Sequence, residues 1–228
     1  MRLSVFFVAT LWVASAHAQE RPAFFDTPSE LVPVGAMTPG ETYPLLVVLP
    51  PTNGTSRRVF EDLRGQVPLD AYYVLLTPGQ PQRSDYLPRF SRYVEWAQER
   101  INADVDAALA SHAVDPEQIF LLGFSLGGDT SWALLLRNPE RYRGALVMGS
   151  RSSARPRRRA SETLRRRRAR VFFTMGRSDD EVRQRGIARA HERATEASLE
   201  ARLVEFSGGH QLPPADVLSG GLRFLLRP

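Results

Sequence analysis

The stretch "IFLLGFSLGGDTSWALLLRNPERY" (residues 119–142) decides how this chain is read. Residues 119–124 form a short, continuous apolar run bounded by Gly, which predicts a strand covered on both faces. Beyond Ser125, Trp132, Leu135 and Leu136 recur at helical spacing, and Pro139 ends that helix. Gly123-Phe124-Ser125-Leu126-Gly127 therefore fits G-x-S-x-G at a strand-to-helix turn. A turn this sharp strains the Ser backbone and projects its hydroxyl outward. Side chains at positions 123 and 127 would collide with it. The N–H of Leu126, at the positive end of the helix, suits an oxyanion. The same motif also occurs as a bare turn, so the rest of the chain has to supply a base and an acid.

Around this stretch, "PLLVVLP" (44–50), "YYVLLTP" (72–78), "ALVMG" (145–149), "RVFFTMG" (170–176) and "ARLVEF" (201–206) read as further strands. Helical patterns separate them. Val94, Ala97, Ile101, Val105, Ala108 and His112 share one face, residues 181–199 form another helix, and Pro213-Pro214 precedes a last one carrying Leu218, Leu222, Leu225 and Leu226. Alternation of strand and helix implies an α/β fold, a mostly parallel sheet with helices on both faces. Residues 19–42, rich in Pro and Gly, add one or two edge strands. No repeat or internal boundary appears, so residues 19–228 read as a single domain.

The first 18 residues read as a secretory signal peptide: Arg2, an apolar run too short to span a bilayer, then Ala16-His17-Ala18 as a cleavage site. The expectation is an exported protein, periplasmic or extracellular. With no Cys there is neither a lipid-anchor motif nor a disulfide. All 30 basic side chains are Arg. Ten of them fall in residues 151–170 with a single Glu; outside that window and the leader, 19 Arg face 24 acids. The high pI thus belongs to one segment and argues against a globally basic nucleic-acid binder.

In a parallel sheet, chemistry sits beyond the carboxyl ends of the strands. Past the leader the chain has three His. His112 falls at the end of the long helix, a packing or capping position. His191 lies mid-helix at a solvated position. His210, in "FSGGHQLPP" after the last strand, stands where a general base belongs. An acid that orients it is expected after residues 170–176, where Asp179 and Asp180 are both candidates; the spacing from Gly176 favours Asp179, with Asp180 as neighbour or helix cap. The second oxyanion donor is expected from "PPTNGTS" (50–56). Pro50 and Pro51 have no N–H, so Thr52 is the first donor and Asn53 the next.

The pattern resembles the α/β-hydrolase superfamily, and within it the small carboxylesterase, phospholipase and acyl-thioesterase serine hydrolases. The resemblance spans residues 45–226 and rests on residues 114–150, on "VFFTMGRSDDEV" (171–182) and on "GGHQLPPADVLSGGLRFL" (208–225). It implies Ser125 as nucleophile, Asp179 as acid, His210 as base, and an acyl-enzyme route with no metal or organic cofactor. It implies a small-molecule or lipid ester as substrate. Pro50-Pro51 departs from the His-Gly usual at that loop. A peptidase or polyester depolymerase would use the same three residues, and a non-catalytic hydrolase-like protein binding anionic surfaces is a reading of another class.

Two segments stay open. Residues 151–170 read as an Arg-rich, lid-like insertion, with Ser161 capping a short helix to Ala169. It is either an anion-binding rim facing acidic substrates or lipid surfaces, or a solvated and partly mobile face. Nucleic acid is not an expected partner, since no aromatics interleave the arginines. In the loop 78–90, Tyr86, Leu87 and Phe90 either line an acyl pocket or pack beneath a long loop.

Overall fold

The computed structural model describes residues 20–227; the leader expected at 1–18 lies outside them. Seven strands form one sheet in the order β1-β3-β2-β4-β5-β6-β7. They are β1 (Glu30–Val34), β2 (Tyr43–Leu49), β3 (Tyr72–Leu76), β4 (Val114–Phe124), β5 (Gly144–Met148), β6 (Arg170–Gly176) and β7 (Glu200–Phe206). Every neighbouring pair is parallel except β1 with β3. The Pro/Gly-rich start supplies one edge strand, β1, where Pro33 is tolerated because the outer side needs no ladder donor. β4 begins earlier than its apolar run, because Val114 pairs with Tyr43 before the register shifts to Leu45 and Ile119.

Period-two alternation sorts the strand side chains into two cores. Leu45, Val47, Val147 and Phe173 face one layer, made by α3 (Phe90–Ser111), α4 (Leu126–Arg137) and α6 (Glu181–Glu196). Leu46, Val48, Leu146 and Phe172 face α1 (Ser56–Leu63) and α7 (Ala215–Leu226). α4 is buried almost all round, and its Trp132 is fully enclosed edge-on to Phe173, 5.4 Å between ring centres. A helix this apolar is held by the sheet and its helical neighbours.

The strand order reverses between β2 and β4: β3 lies on one side of this pair, β5 to β7 on the other. The crevice at such a switch point, beyond the carboxyl ends, is where ligands bind in open parallel sheets. Leu49 of β2 and Phe124 of β4 end there.

The arginine segment lies in the crossover from β5 to β6 and carries α5 (Arg158–Arg166). Ser161 lies inside α5 and bonds back to the Arg157 carbonyl at 3.2 Å instead of capping. Ala160, Thr163 and Leu164 are buried, and this i, i+3, i+4 stripe starts the helix. Its approach is also fixed: Ser152 N–H donates to Asp129 Oδ1 at 2.7 Å and Trp132 Nε1 to the Ala154 carbonyl at 2.9 Å.

Candidate active site

Ser125 sits between β4 and α4 at φ 55°, ψ −118°, a conformation that costs a non-Gly residue roughly 1–3 kcal/mol. The surrounding backbone imposes it. A Cβ at Gly123 would run into the Gly127 backbone, and one at Gly127 would stand 2.5 Å from the Leu49 carbonyl oxygen. Only glycine lets the first turn of α4 seat this closely on β4 and the end of β2. The Ser125 N–H is tied to the Met148 carbonyl at 2.9 Å, which leaves the hydroxyl free to project from the crevice.

His210 comes from the loop after β7. Its Nε2 lies 3.0 Å from Ser125 Oγ and its Nδ1 lies 2.8 Å from Asp179 Oδ2. A carboxylate facing Nδ1 makes that nitrogen the N–H donor, so the Nε2 lone pair faces the serine hydroxyl. The ring also stacks on Phe124, 4.8 Å between centres. The Asp179 side chain is 1% exposed, whereas that of His210 is 32% exposed and open to a bound molecule.

Of the two acids, Asp179 meets the imidazole. Its second oxygen accepts from the Asp180 N–H at 2.7 Å and from Arg183 at 3.3 Å. Asp180 caps α6 by accepting from the Arg183 N–H at 2.9 Å. Partial burial acts to raise the Asp180 carboxyl, but N–H bonds from Arg183 and Val182 and the charges of Arg183 and Arg151 outweigh it and hold it below the usual range.

The loop after β2 reaches the same place, since a Cβ on Gly127 would also stand 3.0 Å from the Pro50 carbonyl oxygen. The Asn53 N–H is bonded to the Pro81 carbonyl at 2.8 Å. Among the described residues the Thr52 N–H has no acceptor, and the Leu126 N–H is a first-turn donor that no intrahelical carbonyl can meet. Thr52 Oγ1 and Tyr86 Oη are 2.9 Å apart, so Tyr86 braces this loop while its ring packs edge-on to Tyr93. Leu87 is 54% exposed, and Phe90 packs on the core and lines a groove between α3 and α4. That groove, about 770 Å³, contains none of Ser125, Asp179 or His210.

The other histidines stand apart. His112 ends α3 exposed, its ring edge-on to Tyr73, and His191 is half-buried against Phe173 rather than solvated. Among the described residues no group of three His, Asp or Glu gathers as metal ligands.

Two residues here escape the sequence reading, Phe124 and Asp129. Asp129 stands one turn beyond Ser125. Burial pushes its carboxyl up to about 6, against the Ser152 and Arg151 N–H bonds and the charges of Arg151 and Arg183. Its place in the first turn of α4 was its only sequence signal.

Chemically, a hydroxyl on a strained turn, an imidazole poised to take its proton, a buried acceptor behind that imidazole and adjacent unbonded N–H groups form an acyl-transfer constellation. No protein-family model matches the sequence, and a search of curated proteins finds no match. Solved structures do resemble it. Esterase PE8 aligns with TM-score 0.64 at 21% identity, over 87% of this chain and 99% of that one. The Bacillus cereus carboxylesterase aligns at 0.61 and 17% identity, over 89% and 96%. A thermostable esterase aligns at 0.57 and 17% identity over 78% of this chain, which spans half the length of that protein. The chain has the α/β-hydrolase fold.

Proposed function

We propose that this α/β-hydrolase-fold chain is an exported serine hydrolase that cleaves carboxylic esters through an acyl-enzyme. The observation that carries the reading is the continuous hydrogen-bond line Ser125–His210–Asp179, at 3.0 and 2.8 Å, beside a serine in a strained backbone conformation. The esterases that share the fold support the choice of an ester bond.

Ser125 Oγ attacks the ester carbonyl while His210 Nε2 takes the hydroxyl proton. The carbonyl oxygen becomes an oxyanion and meets the N–H groups of Leu126 and Thr52. Asp179 keeps the Nδ1–H directed at itself, holding the tautomer the first step needs and stabilising the imidazolium. The imidazolium then gives its proton to the departing alcohol oxygen as the C–O bond breaks. Water enters, His210 accepts its proton, hydroxide adds to the acyl carbonyl, and Ser125 leaves reprotonated with the carboxylic acid released. Backbone donors need no reorganisation as charge develops, which is where such sites gain most of their rate.

The test is a series of p-nitrophenyl esters of increasing acyl length, assayed with the wild type and Ser125→Ala. The expectation is turnover of at least one ester by the wild type and a loss of about 10³-fold or more in the variant, with an unchanged circular dichroism spectrum. Equal turnover by both proteins would remove Ser125 from the chemistry. Residues 1–18 support the exported location, which cleavage after residue 18 on expression in a bacterial host would check.

A further inference from the structure

The arginines do not all behave alike. Over most of the surface they meet acids: Arg100 with Asp104, Arg141 with Asp106, Arg167 with Glu117, Arg170 with Glu200. One cleft is different. The chain leaving β5 crosses α6 at Gly186, so close that a Cβ there would strike the Arg151 carbonyl oxygen. Beside this crossing lies a space of about 410 Å³ lined by Arg151, Arg155, Arg185, Arg189 and Arg193, and by no carboxylate. Arg185, Arg189 and Arg193 are spaced four apart, one ridge along α6. Arg185 pairs with Glu181 at 2.7 Å. Among the described residues the other four form no ion pair, and the buried Arg151 Nε has no hydrogen-bond partner. Arg151 feels the charges of Asp129 and Asp180 only at longer range.

The cleft adjoins the Ser125 group. Arg151 follows Gly149 by two residues, and a Cβ on Gly149 would lie 3.5 Å from His210 Cε1. Val182, which also lines the cleft and is 57% exposed, follows Asp179 by three residues. Converging guanidinium groups repel one another unless an anion joins them, and their planar forks match carboxylate and phosphate oxygens in pairs. A volume of this size suits a small ligand group.

We propose that this cleft is an anion subsite, and that the esters this protein cleaves carry a carboxylate or phosphate group seated there. The inference rests on the ester-hydrolase reading and names its substrate class. The concave shape and the nearness to His210 fit a group on the substrate. Neither feature is required for docking on a flat anionic membrane.

Two measurements separate the subsite from the chemistry. In the first, kcat/KM is compared for neutral p-nitrophenyl butyrate and anionic mono-p-nitrophenyl glutarate. A second arm compares monobutyryl glycerol with its phosphate, placing the anion on the alcohol side. The wild type should favour an anionic member in at least one arm. Arg155→Gln/Arg189→Gln should lower the anionic-to-neutral ratio at least tenfold, while the remote pair Arg57→Gln/Arg58→Gln, which removes the same charge, should move it less than twofold. In the second measurement, pyrophosphate is titrated calorimetrically into Ser125→Ala protein with and without the Arg155/Arg189 substitutions. Binding should weaken at least tenfold when the two arginines are gone. Neutral ester cleavage with no anionic preference, or pyrophosphate binding that is absent or indifferent to the substitutions, overturns the subsite. Binding of phosphatidylglycerol vesicles through these arginines with an unchanged ester ratio also overturns it. Arginine-dependent pyrophosphate binding with no ester cleaved leaves the subsite standing and overturns the ester reading instead.

Discussion

The imidazole of His210 lies on the ring of Phe124, with centroids 4.8 Å apart and planes inclined by 28°. Phe124 is the residue before Ser125, so one strand end carries both the hydroxyl and the platform for the imidazole bonded to it. The glycine loop 207–209 alone would leave the ring free to turn about χ1 and χ2. Phe124 and Asp179 together fix its plane and its direction.

Phe124 is therefore a positioning residue. An aromatic pair of this geometry contributes roughly 0.5–1.5 kcal/mol beyond its buried area. Phe124→Leu keeps an apolar side chain but removes the stack. We expect kcat on a p-nitrophenyl ester to fall roughly 2- to 10-fold with KM nearly constant, and Phe124→Tyr to restore it. A rise in KM with kcat unchanged would show that Phe124 contacts substrate instead.

The two neighbouring acids have separable roles. Asp179→Asn removes the acceptor behind Nδ1 and favours the wrong tautomer, so kcat should fall by about 10³- to 10⁴-fold with the fold retained. Asp180→Asn keeps an acceptor for the cap of α6 and removes the charge that pairs with Arg183, without touching the His210 contact. It should shift stability by less than about 1 kcal/mol and leave kcat within a few-fold. Rates and urea midpoints of the two variants, measured side by side, check the assignment; a large rate loss confined to Asp180→Asn would reverse it.

Asp129 gives stability a pH dependence. An unfolded Asp titrates near about 3.9, and the folded value is about 6. Folded protein therefore holds this proton more tightly. The associated stability is fully present below about pH 4 and is lost as pH rises through about 6, a change of up to about 3 kcal/mol. Asp129→Asn keeps an acceptor for the Ser152 N–H and removes the titration. Its urea midpoint should match the wild type near pH 4 and exceed it by pH 7. A difference constant across that range would contradict the assigned environment.

The legible parts of the fold are those that burial dictates locally. Residues 170–176 read as a strand because both faces are covered, and β6 spans those residues. β1 showed less, since Pro33 and mixed exposure blur its alternation. α5 was misplaced because Ser161 looked like a cap, while the stripe Ala160, Thr163 and Leu164 that starts the helix was overshadowed by the surrounding arginines. In the site, the G-x-S-x-G turn marked Ser125, while Asp179 and His210 were legible because each stands just past a strand, where His112 and His191 do not. Phe124 and Asp129 offered little, because an apolar strand residue and a first-turn acid have ordinary structural uses. The arginine cleft was hidden for a different reason. Half of it comes from α6, some 30 residues along the chain from Arg155, and only the crossing at Gly186 brings the halves together.

The central claim is that Ser125 is a nucleophile activated by His210. Its most direct measurement is labelling with a fluorophosphonate, followed by intact mass and peptide mapping. One adduct on the peptide containing Ser125, absent in Ser125→Ala and slowed by about 10³-fold or more in His210→Ala, is the predicted result. No adduct on folded wild-type protein, or an adduct that persists in Ser125→Ala, would contradict it.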